Sequence, residues 1–143
     1  MCSGDGMAPI TSHKELVAWQ LCDELADAVC ALLAKGPGEK DVSLCDQLRR
    51  SADSGAPAIA EGYGRKGPKE FAYYLRVAVA SLRECSTWLE RGIKRRYWPA
   101  TDGAATLNLC WRALDITTKL LAAKERQIAR EEARKPRKRT PKR

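Results

Sequence analysis

The chain has 143 residues, of which 44% are hydrophobic and 31% are charged, a composition typical of one soluble globular domain. No apolar run approaches the roughly 18 residues that a membrane span requires, and the first twelve residues do not form a secretion signal, which predicts a cytoplasmic protein without membrane contact. The formal net charge is +8, and His13 is the only histidine, which disfavours zinc sites and histidine-dependent catalytic pairs.

Most of the positive charge belongs to the last ten residues. The segment 134–143 reads RKPRKRTPKR and contains seven basic and no acidic side chains, whereas the other 133 residues contain 19 basic and 18 acidic side chains. Because such a segment repels itself and has nothing to bury, we expect it to be disordered.

The first predicted helix begins at Ser12. In the sequence SHKE, Ser12 is followed three residues later by Glu15, the spacing at which each side chain accepts a hydrogen bond from the other residue's backbone N–H. Apolar residues then recur at helical spacing until KGPGEK, residues 35–40, where proline cannot continue the helix.

A second helix is predicted from about Lys40 to Glu61. Gly55 and Pro57 lie inside it, and proline removes the hydrogen bond to the carbonyl four residues back, so we expect a bend or a break there. The small side chains around Pro57 would allow another backbone to approach closely.

The third helix has the most regular pattern. Pro68 suits the first helical position, and Glu70 places an acid in the first turn. Apolar residues then follow in steps of three or four, as in a heptad seam: Phe71, Leu75, Ala78, Leu82, Cys85, Leu89 and Ile93. We expect this helix to end near the basic segment KRRYWP, residues 94–99.

The fourth helix is predicted from near Asp102 to beyond Ile128 and carries two apolar stripes. One contains Leu107, Trp111, Leu114 and Leu121, and the other contains Leu109, Ala113, Ile116, Leu120 and Ala123. A bundle helix needs one stripe for its core. The second stripe indicates a further surface to cover, such as a subunit contact, unless the two stripes merge into one wide core face.

Four helices with short connections, and no useful strand pattern, predict an all-α fold: an antiparallel up-down four-helix bundle. The predicted organisation is a flexible N-terminus at 1–11, the bundle at 12–133 and the disordered basic tail at 134–143. Five of the six cysteines fall within helical patterns and no C-x-x-C pair occurs, so we expect core thiols without disulfides or a metal.

The stretch 62–67, GYGRKG, matches the glycine pattern of dinucleotide-binding loops, but its context differs. Such a loop follows a strand, whereas Gly62 follows a predicted helix, so Gly62 and Gly64 are interpreted as a helix C-cap and a turn. Glu61 is expected to be partly buried and paired with a neighbouring arginine. We predict no catalytic residues, no cofactor and no metal.

Basic side chains favour nucleic-acid binding, because Lys and Arg that neutralise phosphates give affinity without sequence recognition. Nearby rings could stack on unpaired bases: Tyr63, Tyr73, Tyr74, Tyr97 and Trp98. The candidate phosphate contacts are Arg49, Arg50, Arg65, Lys66, Lys69, Lys94, Arg95, Arg96, Arg134, Lys135, Arg137, Lys138, Arg139, Lys142 and Arg143.

The segment 45–84 resembles the four-helix-bundle family of the 23S rRNA intervening-sequence proteins. The matching residues are Gln47-Leu48-Arg49-Arg50, Pro57, Ile59-Ala60-Glu61-Gly62, Gly64-Arg65, Lys69-Glu70-Phe71 and Ser81-Leu82. Ala58 replaces the family's asparagine, Ala80 replaces its glycine, and the basic tail lies outside the family pattern. The resemblance implies a homo-oligomer, typically a pentamer, without established catalysis, and it extends to accessory proteins of diversity-generating retroelements.

The sequence therefore favours a non-enzymatic, homo-oligomeric bundle that binds nucleic acid, RNA in preference to DNA, through Arg and Lys. The alternative is an accessory protein-interaction subunit of a reverse transcriptase. A third interpretation is a structural bundle that has no nucleic-acid role.

Overall fold

Four helices account for most of the structure. The computed structural model describes residues 8–136, within which no strand occurs. The helices are α1 (Val17–Leu33), α2 (Val42–Gly64), α3 (Pro68–Lys94) and α4 (Ala100–Ala133), and short 3-10 turns at His13–Glu15 and Gly38–Asp41 precede α1 and α2. None of the helices in residues 8–136 has a stretch long and apolar enough to cross a bilayer.

Each helix packs against two neighbours around one core. α1 and α3 both contact α2 and α4, and the short connections make successive helices antiparallel. Two salt bridges give the register of α3 against α4: Lys69 Nζ lies 2.8 Å from Glu132 Oε1, and Arg76 Nη2 lies 3.4 Å from Glu125 Oε1. A step of seven residues forward in α3 matches a step of seven backward in α4. The predicted up-down four-helix bundle is confirmed.

This topology gives the bundle two different ends. At one end α2 ends, α3 begins and α4 ends; we call it the tail end, because Arg134 follows α4 there. At the other end α3 is followed by the buried Trp98, and we call it the Trp98 end. The 27 residues of α3 separate the two ends by about 40 Å.

The heptad residues of α3 form the centre of the core, as predicted. Six of the seven are buried and Ile93 is half-buried. They pack in one cluster with Leu25, Leu44, Leu48 and Ile59 from α1 and α2. Burial of each large aliphatic side chain contributes about 1.5–3 kcal/mol to the free energy of unfolding.

α1 begins five residues later than predicted. Ser12 Oγ accepts a hydrogen bond from the backbone N–H of Lys14 at 3.2 Å, but Glu15 accepts from the backbone N–H of Thr11, at 2.9 Å, instead of that of Ser12. The result is a 3-10 turn followed by Leu16 in an extended conformation, and α1 then starts at Val17. The predicted reciprocal cap is therefore wrong by one residue.

α2 runs without interruption through Pro57 to Gly64. Pro57 is exposed, so its ring is on the solvent side of the helix and the predicted break does not occur. The atoms closest to Gly55 belong to side chains and not to another backbone: a Cβ there would lie 3.1 Å from Cys22 Sγ of α1.

The two predicted stripes of α4 largely merge into one wide face. Leu107, Leu109 and Ala113 are buried, and the other stripe residues except Trp111 are half-buried. Trp111 is 50% exposed and remains outside the core. Self-association therefore stays a prediction, and Trp111 is the part of the stripe that the core does not explain.

Four of the six cysteines are buried free thiols: Cys22, Cys45, Cys85 and Cys110. The prediction of core thiols is confirmed for these residues. It is wrong for Cys30, which is exposed. Cys2 lies outside the described residues.

Candidate nucleic-acid interface

The turn between α2 and α3 presents three exposed residues at the tail end. Gly62 and Gly64 are both within α2, so their predicted role as cap and turn is wrong. The turn consists of Arg65, Lys66 and Gly67, and Gly67 adopts a φ of +117°, which glycine reaches without steric strain. The glycine that reverses the chain is therefore Gly67.

Arg65 is held in place by two neighbours. Its Nε donates to Glu61 Oε1 at 2.9 Å, and its guanidinium carbon lies 5.6 Å from the centroid of the Tyr74 ring. The hydrogen bond to Glu61 is the main cause that raises the pKa of Arg65. Pairing of Glu61 with an arginine is confirmed, but the Glu61 side chain is 51% exposed, so its predicted burial is wrong.

Lys69 ties the start of α3 to the end of α4 through its salt bridge with Glu132. The hydrogen bond raises the pKa of Lys69 and lowers the pKa of Glu132. Both side chains are more than half exposed, so solvent weakens the attraction. The contact shows that the end of α4 lies beside the start of α3.

A notch of about 280 Å³ opens beside this turn, lined by Tyr63, Arg65, Gly67, Pro68, Phe71, Lys124 and Gln127. Lys124 Nζ lies 5.3 Å from the centroid of the Phe71 ring and 3.3 Å from Gln127 Oε1. The notch thus combines the half-buried Tyr63 ring, an amide and two cations, groups that can stack on a base and neutralise phosphates. No sequence motif marks Lys124 and Gln127, because only the register of α4 brings them to the turn.

The last turn of α4 brings further basic residues to the same end. The backbone N–H of Arg134 donates to Arg130 O at 3.2 Å, which closes the last turn of the helix, and the side chains of Arg130, Arg134 and Lys135 are exposed. Residues 61–70 and 124–136 together contain eight basic and five acidic side chains. The remaining predicted contacts lie outside the described residues: Arg137, Lys138, Arg139, Lys142 and Arg143.

Other predicted basic residues are far from this site. Lys94, Arg95 and Arg96 lie at the Trp98 end, where Arg95 Nη1 is 2.8 Å from Asp41 Oδ2. Arg49 and Arg50 are exposed on α2, and Arg49 is 3.6 Å from Asp46. The predicted set is therefore divided among three places.

The predicted stacking rings are divided in the same way. Trp98 is buried and its Nε1 donates to Gly36 O at 2.9 Å, while the Tyr97 hydroxyl donates to Asp41 at 2.7 Å, so both rings pack the Trp98 end. Tyr63 and Tyr74 lie at the tail end, beside the turn. Over residues 8–136, no cluster of three or more Cys, His, Asp or Glu side chains could hold a metal ion.

Known proteins share both the sequence pattern and the fold. The family model described as 23S rRNA-intervening sequence protein matches residues 14–133. A search of curated proteins found no match. A solved structure from Bacteroides thetaiotaomicron is described as a protein with unknown function from the S23 ribosomal protein family. It superposes with a TM-score of 0.67 over 73% of this chain and 98% of that chain. The two sequences are 19% identical, so the similarity supports the fold alone. Because the matched range includes all four helices, the chain belongs to the family of 23S rRNA-intervening sequence proteins.

Proposed function

We propose that this protein is a non-enzymatic, homo-oligomeric bundle of the cytoplasm that binds nucleic acid, RNA in preference to DNA, at its tail end. One observation carries the proposal: antiparallel packing brings Arg65 and Lys66 to the end of the bundle from which the segment beginning at Arg134 departs. Basic residues almost seventy positions apart in the sequence thereby share one surface.

The tail end offers positive charge that is not already neutralised. Arg65 and Lys69 are paired with glutamates, whereas Lys66, Arg130, Arg134 and Lys135 form no ion pair within residues 8–136. Free, exposed cations release counterions when they meet phosphates, and this release supplies affinity that does not depend on sequence.

Two features favour RNA with unpaired bases. The notch places the half-buried ring of Tyr63 beside the cations Arg65 and Lys124, an arrangement that suits stacking of a base next to its phosphate. The family description refers to 23S rRNA, which supports RNA as the class of nucleic acid.

Self-association would multiply these weak contacts. In a pentamer, the state that the family resemblance implies, five tails belong to one particle, and binding of the first raises the effective concentration of the others. Affinity for a long RNA should then exceed that for an oligonucleotide that reaches one subunit.

The test is a salt titration of binding to a labelled single-stranded RNA, to the matching single-stranded DNA and to duplex DNA. For the full chain, the logarithm of the association constant should fall linearly with the logarithm of salt concentration, by about 0.7 for each phosphate contacted. A chain that ends at Ala133 should bind more weakly with a shallower slope. Equal binding by both chains would contradict the role of the tail, and equal binding to RNA and DNA would contradict the preference. Absence of nucleic-acid binding, with co-purification of a reverse transcriptase, would favour the accessory-subunit alternative.

A further inference from the structure

Lys124 is the cation of the notch beside the α2–α3 turn that no acid neutralises. It forms no ion pair with any side chain of residues 8–136. Ion pairs within a helix join residues three or four positions apart. At those positions from Lys124 no residue is acidic: they are Leu120, Leu121, Gln127 and Ile128. Because a half-buried charge is costly without a partner, this position favours an anion from outside the chain.

Neutral groups hold the Lys124 ammonium group at the notch. Its Nζ lies 5.3 Å from the centroid of the Phe71 ring and donates to Gln127 Oε1 at 3.3 Å. Gln127 in turn donates from its Nε2 to Glu131 Oε1 at 3.1 Å, so the amide separates the ammonium group from this carboxylate. A ring and an amide position a cation without cancelling its charge.

The charge of Arg65, on the other side of the notch, is already offset. Its Nε donates to Glu61, and the exposed Glu70 also attracts it. None of the seven residues that line the notch is acidic, so Lys124 is its one uncompensated cation. A phosphodiester carries a single negative charge, whereas a terminal phosphate monoester carries about 1.5 to 2 at neutral pH. The charge of the notch therefore matches a phosphate inside a strand better than one at its end.

Tyr63 supplies the ring of the same notch, and its neighbours hold it in place. Its hydroxyl donates to Ile10 O at 3.0 Å. The ring makes edge-to-face contacts with Phe71 and His13, at centroid distances of 6.3 and 6.5 Å, and remains half-buried, so part of it is open to a ligand. Pockets for drug-sized molecules measure about 300–1,000 Å³, so this notch of about 280 Å³ has room for about one nucleotide.

We propose that the notch binds one nucleotide from the interior of a single-stranded RNA, with Lys124 as the residue that contacts its phosphodiester. The inference rests on the RNA binding in the proposed function and adds the position of this nucleotide. The base stacks against Tyr63, which a base within a duplex cannot do because neighbouring base pairs cover its faces. The notch therefore selects unpaired strands, whereas the exposed basic residues around it attract any nucleic acid.

The test is a salt titration of a labelled oligouridine RNA of about ten nucleotides with the full chain and three variants, each of which lowers the net charge by one. Lys124→Met removes the charge but keeps a flexible apolar stem over Phe71, and Gln127→Glu puts a carboxylate beside the ammonium group. Both should weaken binding about five-fold near 0.1 M salt and reduce the salt slope by about 0.7, the effect of one phosphate contact. Lys119→Met is the matched control, because Lys119 is an exposed lysine of α4 that pairs with Asp115. It should bind like the wild type, and circular dichroism would check that every variant is folded.

Two further measurements separate the interior of a strand from its end. The RNA with a 5′-phosphate should bind no more tightly than the same RNA with a 5′-hydroxyl, and free uridine monophosphate at micromolar concentration should not displace it. A gain of about five-fold from the terminal phosphate, or displacement by the monophosphate, would overturn the assignment to the strand interior.

Acetylation by acetic anhydride, followed by peptide mass spectrometry, reports where the RNA lies. Bound RNA should protect Lys124 and leave Lys119 reactive. If Lys124→Met binds like Lys119→Met, or if Lys124 is equally reactive with and without RNA, the notch would be overturned as the site while RNA binding at the tail end would stand. A wild-type chain that binds no single-stranded RNA would contradict the proposed function as well.

Discussion

At the scale of single residues, Gly62 shows why the segment Ile-Ala-Glu-Gly ends in glycine. A Cβ at Gly62 would lie 2.7 Å from the Cβ of Tyr74 and 2.9 Å from the Phe71 ring, whereas a Cβ at Gly64 would have nothing within 4 Å. Gly62→Ala should therefore lower the free energy of unfolding by about 1–3 kcal/mol. Gly64→Ala should leave it unchanged or raise it by up to about 1 kcal/mol. Urea denaturation would measure both, and equal stability of the two variants would contradict the packing role of Gly62.

The buried thiols should be chemically inert in the folded chain. Desolvation raises the pKa of Cys22 to about 12, and a hydrogen bond with Cys110 is the main cause that raises the pKa of Cys85. Since the thiolate is the reactive form, iodoacetamide at about pH 8 should label the exposed Cys30 and leave Cys22 and Cys85 unmodified until the chain is unfolded. Peptide mass spectrometry would follow the labelling, and fast modification of Cys22 in the folded protein would contradict this expectation.

The same shifts predict a loss of stability in alkali. The unfolded chain releases its thiol protons near pH 8.5, whereas the folded chain retains that of Cys22 to higher pH. The protonated Cys22 thiol should therefore contribute to the free energy of unfolding below about pH 8.5, and this contribution should be lost as the pH rises further. Replacement of Cys22 by Ala should flatten this part of the pH profile measured by thermal unfolding. An unchanged slope would show that Cys22 does not cause the loss of stability in alkali.

At the scale of helices, Asp41 joins the start of α2 to the segment after α3. Its carboxylate accepts from the Leu44 backbone N–H at 3.1 Å, from the Tyr97 hydroxyl at 2.7 Å and from Arg95 at 2.8 Å. The hydrogen bond from Tyr97 is the main cause that lowers the pKa of Asp41.

A lowered carboxyl pKa stabilises the fold above the unfolded value, near 3.9, and this contribution is lost as the pH falls through the folded value. Asp41→Asn keeps a capping side chain but cannot titrate. It should therefore lose less stability than the wild type between about pH 5 and pH 2. Thermal unfolding across that range provides the comparison, and parallel curves would show that Asp41 does not contribute.

Helical patterns reveal some elements better than others, for physical reasons. α3 is predictable because its heptad spacing, its Pro68 start and its basic end all agree. The start of α1 is not predictable in this way, because Glu15 can accept from the backbone N–H of either Ser12 or Thr11. Local spacing does not decide between these two donors. Continuity of α2 through Pro57 is also hidden from local rules, since packing of the opposite face around Gly55 holds the helix together.

At the scale of the whole molecule, the candidate site depends on how the helices are arranged. Sequence identifies Arg65, Lys66 and the basic segment as separate clusters, and only the antiparallel register of α3 and α4 unites them. The same arrangement moves Lys94 about 40 Å away and adds Lys124, which no motif marks. Composition therefore predicts the class of ligand, whereas topology selects the end of the bundle.

Two matched charge reversals test most directly whether nucleic acid binds at the tail end. One variant combines Lys66→Glu with Arg134→Glu at the tail end, and the other combines Lys40→Glu with Lys94→Glu at the Trp98 end. Both lower the net charge by the same amount, so a difference in RNA affinity reports location and not total charge. We expect the tail-end variant to bind single-stranded RNA at least about ten-fold more weakly than the wild type, and the other variant to bind nearly as well as the wild type. Equal weakening in the two variants would contradict a site at the tail end.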